Sequence, residues 1–356
     1  MSSIRRSFWA VTLAAASTLI AVAATPGAAH AAGGTPLDLP GYGDMIVDEE
    51  HGQVYISGGA GGNGVLVTSL GGDYITTIPS QYGATGLVQD ADTEWLYIAQ
   101  AAGDAITVVD VHTYQQVARY PTGSQTCPTH LARVENVIWF GYGCQGGTFN
   151  GGIGRLDLGA EEPEAVTGQQ PDNVRFQRAP LLTAVADCAE GPLVVGQPQL
   201  SLSTVYVYDI DPSSQTLTRR TSGTAPGSNL NDLAIEKYGD TFFTAAGSRN
   251  TVPAYATADL SGRGSYYTGY YPLAVAPAPD GWYLATGVRS TSDDIYFWET
   301  GGVQPISRIN LGDDVVLAPR GLAWAQSVDH YWLYAITQSP TGGQPTLHII
   351  WNPWTP

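Results

Sequence analysis

Four ionisable side chains, Asp44, His130, Asp232 and Arg320, fall at matching places in a pattern that recurs along the chain, just ahead of short apolar runs. One imidazole with two carboxylates is a ligand set for a divalent cation, and the same groups beside a guanidinium could serve as acid and base. Thr85, Asn231 and Tyr271 share the place of Arg320, one residue ahead of that of the other three, and would add a hydroxyl, an amide and a phenol. The plainer alternative is that these groups bond to neighbouring loops and to channel water, because any ring of loops contains a few charges, and the sequence favours it. The candidate ligand-binding set is therefore Asp44, Thr85, His130, Asn231, Asp232, Tyr271 and Arg320. No catalytic residue is assigned, no cofactor is expected, and Asp44, His130 and Asp232 are the candidates should a metal bind.

The elements that must position these residues are short strands. The stretch from Thr85 to Tyr120 reads as four of them: Leu87-Val88, then Trp95-Leu96-Tyr97-Ile98, then Ile106-Thr107-Val108-Val109, then Gln116 to Tyr120. Its β-branched and aromatic runs, broken by polar and Gly-containing turns, favour strand over helix. The unit recurs, with second strands Val54-Tyr55-Ile56, Ile138-Trp139-Phe140, Leu193-Val194-Val195, Thr241-Phe242-Phe243, Trp282-Tyr283-Leu284 and Trp332-Leu333-Tyr334. That makes seven copies, mostly about 40 to 50 residues apart, the period of propeller blades. A lone four-stranded sheet cannot bury both faces, whereas seven stacked radially share a continuous core. The expected fold is all-β: a seven-bladed β-propeller of four-stranded antiparallel blades, a single domain over residues 32–356.

First strands line the central channel of a propeller, so their leading residues meet at one mouth. Aligning the copies brings Gly43, Thr85, Thr129, Pro180, Asn231, Tyr271 and Arg320 into one ring. Asp44, Gly86, His130, Leu181, Asp232, Pro272 and Gly321 form the next. The strand-like piece Thr35 to Pro40 precedes the first full unit, and the last unit stops at a third strand near Trp351. Each solves the other if the N-terminal piece supplies the outer strand of the last blade and removes an exposed edge.

Other suggestive stretches read as turns. Gly58 to Gly64 is glycine-rich but is followed by no Lys-Ser/Thr pair and no helix, so a hairpin turn is preferred to a phosphate cradle. Asp90-Ala91-Asp92-Thr93-Glu94 lacks the Gly and bidentate Glu offsets of a calcium loop. It matches Asp48-Glu49-Glu50-His51, Pro279-Asp280-Gly281 and Ser327-Val328-Asp329-His330, all between first and second strands. Asp110, Asp157, Asp209 and Asp259 likewise end third strands, where a side chain can cap the turn. The connection from Gln169 to Arg178 is the longest irregular one and a place where binding groups could sit. Of the nine Trp and twenty Tyr, which include Tyr266-Tyr267 and Tyr270-Tyr271 beside the sixth blade, most are expected between blades, the alternative being an exposed aromatic platform suited to sugar or peptide.

Compartment is read from the start of the chain. Arg5-Arg6 precede an apolar run from Phe8 to Ala24, then Pro26 and Ala29-His30-Ala31, the pattern of a secretory signal peptide over residues 1–31. The two arginines leave Sec and twin-arginine export both open. No other stretch is apolar for long enough to span a bilayer. The formal net charge of −17 disfavours nucleic acid and anionic lipid surfaces, and removal of Arg5 and Arg6 makes it more negative still. Of three cysteines, Cys127 and Cys144 face each other if Glu135-Asn136 is a two-residue turn, which makes a disulfide plausible in an oxidising compartment. Pro128 could break that register. Cys188 is left as a buried, inert thiol.

Second strands such as Tyr55-Ile56-Ser57-Gly58, Tyr97-Ile98-Ala99-Gln100 and Tyr283-Leu284-Ala285-Thr286 resemble the signature of secreted bacterial YVTN, or YncE-like, seven-bladed propellers. Segments Ile138-Trp139-Phe140-Gly141-Tyr142-Gly143, Gly227-Ser228-Asn229-Leu230 and Leu317 to Ala325 extend that resemblance over about residues 35–352. It implies the fold and transfers no catalytic residue. The resulting expectation is a secreted, monomeric, non-catalytic propeller that binds a small molecule, glycan or protein at its channel mouth. The alternative, from propellers similar in outline to streptogramin lyase and lactonases, is a metal-assisted lyase or hydrolase, for which His130 is the one imidazole on the rim.

Overall fold

The computed structural model describes residues 33–90, 92–144, 149–290, 292–312, 314–327, 330–339 and 343–354. The proposed signal segment, Ala91, Gln145 to Thr148 of the third-blade insertion, and the turn residues Val328 and Asp329 lie outside them. Among the described residues there is no helix. Seven four-stranded antiparallel sheets account for the regular structure, each built from strands consecutive in the chain except one. The chain is a seven-bladed β-propeller.

The exception is the closing blade. It is assembled from Val316–Ser327, His330–Gln338 and Thr346–Trp351, with the N-terminal strand Thr35–Pro36 as its outer member. Thr35 pairs with Leu347 and Pro36 with Thr346, and the Leu37 N–H then donates to the Pro345 carbonyl at 2.8 Å. Leu37 and Leu39 follow into the interior, 2% and 5% exposed. There they join Met45, Val54, Ile56 and Leu66 of blade one to Ala318, Ala325, Tyr334, Ile336 and Leu347 of blade seven. Burial of two leucines is worth about 1.5–3 kcal/mol each, more than two ladder bonds alone could supply.

The same logic fills every gap between blades. Second strands are almost wholly buried: Val54, Tyr55 and Ile56 in blade one and Ile138, Trp139 and Phe140 in blade three are all inaccessible to solvent. Being covered on both faces, these strands read as continuous apolar runs rather than alternating ones. Trp139, Trp298, Tyr97 and Tyr208 are among the largest fully buried side chains and sit in the wedges between adjacent sheets. Outer strands are mostly exposed and polar, as in Gln116–Pro121.

Turn carboxylates do what their recurrence implies. Asp48, Asp90 and Asp280 accept backbone N–H groups of His51, Asp92 and Trp282, and Asp110, Asp157 and Asp259 do so for His112, Gly159 and Ser261. In blade four the task falls to Asp211, which takes the Ser213 and Ser214 N–H groups at 2.9 Å. The third strand there runs to Ile210, so Asp209 is still within it and pairs instead with Arg220. Cys127 and Cys144 form a disulfide with Cα atoms 5.0 Å apart. The register does shift beside Pro128, yet the pair still meets. Cys188 is half-buried rather than buried, its thiol donating to the Gly191 carbonyl at 2.8 Å.

Candidate functional site at the channel mouth

Five of the seven first strands begin with a break in register: Ala84/Leu87, Pro128/His130, Leu230/Asp232, Pro272/Ala274 and Leu317/Leu322. A bulge leaves its extra residues unpaired and re-aims them. Thr85, Thr129, Asn231 and Arg320 sit in those breaks, which is why they face the channel mouth or the neighbouring blade instead of the ladder.

Four of the candidate residues tie blades together. The Asp44 carboxylate accepts the Leu87 N–H of blade two at 3.1 Å and its own neighbour's, Met45, at 3.1 Å. Asp232 repeats the arrangement, taking the Val275 N–H of blade six and the Leu233 N–H, both at 2.8 Å. Thr85 reaches the Pro128 carbonyl of blade three at 3.4 Å, and the Asn231 amide donates to the Pro272 carbonyl of blade six at 2.8 Å. Each lies in a first strand or, for Asp44, immediately before one, and bonds to the first strand of the next blade.

Arg320 spans the opening itself. Its backbone holds φ of +58°, a left-handed conformation uncommon for a side-chain-bearing residue, inside the widest of the bulges. The guanidinium donates to the Gly43 carbonyl of blade one and to Nδ1 of His130 in blade three, and lies 3.8 Å from Asp44. Tyr42 closes the circuit by donating its hydroxyl to the Arg320 carbonyl at 2.8 Å. Because Arg can only donate, His130 Nδ1 must accept, which fixes a neutral imidazole carrying its proton on Nε2. Burial, reinforced by the Arg320 charge, holds the His130 pKa well below its ordinary value.

Burial also raises both carboxylates, against the opposing pull of Arg320 and of the backbone amides; Asp232 is pushed up to about 7. The mouth is divided by Arg320 and His130 into two lobes, of about 220 and about 520 Å³. The smaller is lined by Arg178, Gln199, Gln338 and Asn231 together with Thr129, and the larger by Thr85, Ala101, Ala102 and the Cys127–Cys144 disulfide. Among the described residues no Asp or Glu side chain lines either lobe.

Tyr271 lies elsewhere. Val275 pairs with Thr286 as Leu233 pairs with Thr244, so in blade six the place of Asn231 is held by Leu273 and Tyr271 stands two residues upstream. Its ring rests against Gly247, where an added Cβ would come within 1.8 Å of it. Aligning the sequence copies matches Leu273-Ala274-Val275 to Leu233-Ala234-Ile235 on composition alone.

Arg178 and Gln199 were not singled out from the sequence. The signal was the long connection between blades three and four, at whose end Arg178 donates to Gln199 Oε1 at 2.6 Å. As a metal centre the mouth is poorly equipped. Both Asp232 oxygens are engaged by backbone amides, Asp44 is engaged by two amides and Arg320, and the accepting nitrogen of His130 is taken.

No family model matches this sequence, and no curated protein matches it. Solved structures do. A chain of the mitotic checkpoint complex is similar with a TM-score of 0.63 at 13% identity, covering 97% of this chain and 99% of that one. Hydrazine synthase of Kuenenia stuttgartiensis gives 0.60 at 16%, covering 89% and 97%. KlHsv2 with its loop 6CD replaced by a Gly-Ser linker gives 0.54 at 11%, covering 87% and 97%. At such identities the likeness is one of fold.

Proposed function

We propose that this protein is a secreted, monomeric, non-catalytic β-propeller of the YVTN type whose channel mouth captures a small carboxylate-bearing molecule, with residues 1–31 as its export signal. The observation that carries the reading is the sign of the mouth. In a chain of formal net charge −17, the smaller lobe is flanked by Arg178 and Arg320 and lined by no carboxylate. Low-dielectric walls and converging guanidinium donors favour an anion there, and long-range repulsion by the rest of the surface would reject large polyanions.

A binding role is supported further by what the lining hydroxyls do. Thr129 donates to the Cys127 carbonyl and Thr85 to the carbonyls of Ala99 and Pro128, so neither is paired with a base as a nucleophile would be. The metal-assisted lyase or lactonase reading gains no support from Asp44 and Asp232, whose oxygens serve the fold.

Titration calorimetry with galacturonate, citrate and a peptide carboxylate, against galactose and the corresponding methyl esters, tests the proposal. The acids should bind and their neutral counterparts should bind at least about tenfold more weakly, with Arg178→Gln costing the acids a similar factor. Equal affinity for acid and ester, an unaffected Arg178→Gln protein, or failure of every carboxylate to bind would each overturn it.

A further inference from the structure

On the face opposite the mouth, three turns from two blades bring together His51, Glu94 and His112. His51 lies in the first turn of blade one, Glu94 in the first turn of blade two, and His112 in the turn after the third strand of blade two. One ligating atom from each can be chosen so that all three lie within 4.8 Å of one another. His112 Nε2 is 2.9 Å from Glu94 Oε2, and the two imidazoles meet edge to face with centroids 4.8 Å apart. We propose that this trio is a divalent transition-metal site, suited to Zn²⁺, that clips blade one to blade two.

The supporting shell is of the kind such a site needs. His51 Nδ1 is 2.8 Å from Asp48 Oδ2, a carboxylate that is itself buried and also held by Gln89 and by the His51 backbone N–H. A carboxylate on Nδ1 fixes the tautomer and orientation of the ring and leaves Nε2 as the ligating nitrogen. Asp110 accepts the backbone N–H groups of His112 and Thr113, at 3.0 and 2.8 Å, and so fixes the main chain of the turn that carries the second imidazole. The Val111 N–H donates to the Glu94 carbonyl at 3.1 Å, tying the two turns of blade two together.

Two imidazole nitrogens and one carboxylate oxygen match Zn²⁺, Ni²⁺ or Cu²⁺, and match poorly the all-oxygen shells of Ca²⁺ and Mg²⁺. His112 and Glu94 are half-exposed, at 52% and 49% for their side chains, so they can close the last ångström toward bonds of about 2.0–2.2 Å while water completes a tetrahedron. His51 is the anchored member, 13% exposed.

Calorimetry and thermal melting of the chelator-treated full chain with ZnCl₂ test the site. One equivalent should bind with micromolar or tighter affinity and raise the melting temperature, and Co²⁺ should give the intense visible bands of a four-coordinate ion. His112→Ala and Glu94→Gln alter exposed side chains and should fold as the parent does, yet weaken Zn²⁺ binding at least about tenfold; Asp48→Asn should do so by about 10- to 100-fold with all three ligands present. His330→Ala, at an exposed histidine elsewhere, should change nothing. No zinc-dependent melting shift, or the same loss from His330→Ala as from His112→Ala, would overturn the assignment.

Discussion

The Asp232 carboxylate accepts the Val275 N–H at 2.8 Å, and this bond joins the inner strand of one blade to that of the next. Its other oxygen takes the N–H of Leu233, leaving a buried carboxylate satisfied wholly by backbone. Asp44 and Leu87 repeat the relationship between blades one and two with the same separation in sequence. Charges gather at a propeller mouth partly because neighbouring first strands come closest there and need tying. The polar groups of the mouth thus divide into those that hold the ring alone, among them Asp44, Thr85, Asn231 and Asp232, Arg320, which both ties blades and lines the opening, and Arg178, which lines the opening from a connection.

Stability should carry the signature of Asp232. Burial raises its pKa to about 7, so between about pH 4 and pH 7 the folded protein holds a proton that the unfolded chain has released. That contribution is complete below the unfolded value and is lost as pH rises through about 7, a swing on the order of 4 kcal/mol at most. Urea denaturation of the parent and of Asp232→Asn at pH 4, 6 and 8 should show the parent's advantage shrinking as pH rises. His130 and His348, whose pKa values burial lowers, act in the opposite sense below about 6.5 and cancel because both proteins carry them. Parallel pH profiles would remove the argument.

Arg320 should prove both strained and structural. A left-handed φ costs a side-chain-bearing residue about 1 kcal/mol that glycine avoids, while loss of the guanidinium frees the Gly43 carbonyl and the His130 nitrogen. Arg320→Ala should therefore lower stability by about 1–3 kcal/mol, and Arg320→Gly by about 1 kcal/mol less. Guanidinium denaturation midpoints settle it; identical midpoints for the two variants would show that the strain is not there.

Blade number, blade order and closure were legible in the sequence because each rests on apolar runs that must be covered on both faces. Gatherings at the mouth were legible only as far as the alignment held. Asp44 and Asp232 take matching positions in their blades, but their partners are backbone amides of their own and the next blade, and nothing in residue type announces a backbone donor. Blade six slipped by two residues because its bulge precedes Ala274 and the composition of Leu273-Ala274-Val275 masks the shift. Arg178 is reached only as the end of the long connection from Gln169, because that connection lies outside the repeat and no alignment places it at the mouth. His51 and Glu94 read as turn residues, which they are, and the sequence does not single out His112; only the packing of blade two against blade one brings the three together.

The N-terminal strand offers the sharpest test of how the ring is held. Thr35 and Pro36 contribute a short ladder, whereas Leu37 and Leu39 enter the cluster that joins blades one and seven. If burial rather than strand pairing is the stronger latch, Leu37→Ala, which leaves the ladder intact, should cost about 2–5 kcal/mol. Deletion of residues 35–40 should cost more than that and uncover the edge of Thr346–Trp351, an unpaired strand prone to join another chain. Urea midpoints should thus fall in the order parent, Leu37→Ala, deletion, and light scattering should report self-association of the deletion alone. A deletion protein with the parent's midpoint would mean that blade seven closes on three strands. A Leu37→Ala protein as stable as the parent would shift the latch from the buried leucine to the two-residue ladder.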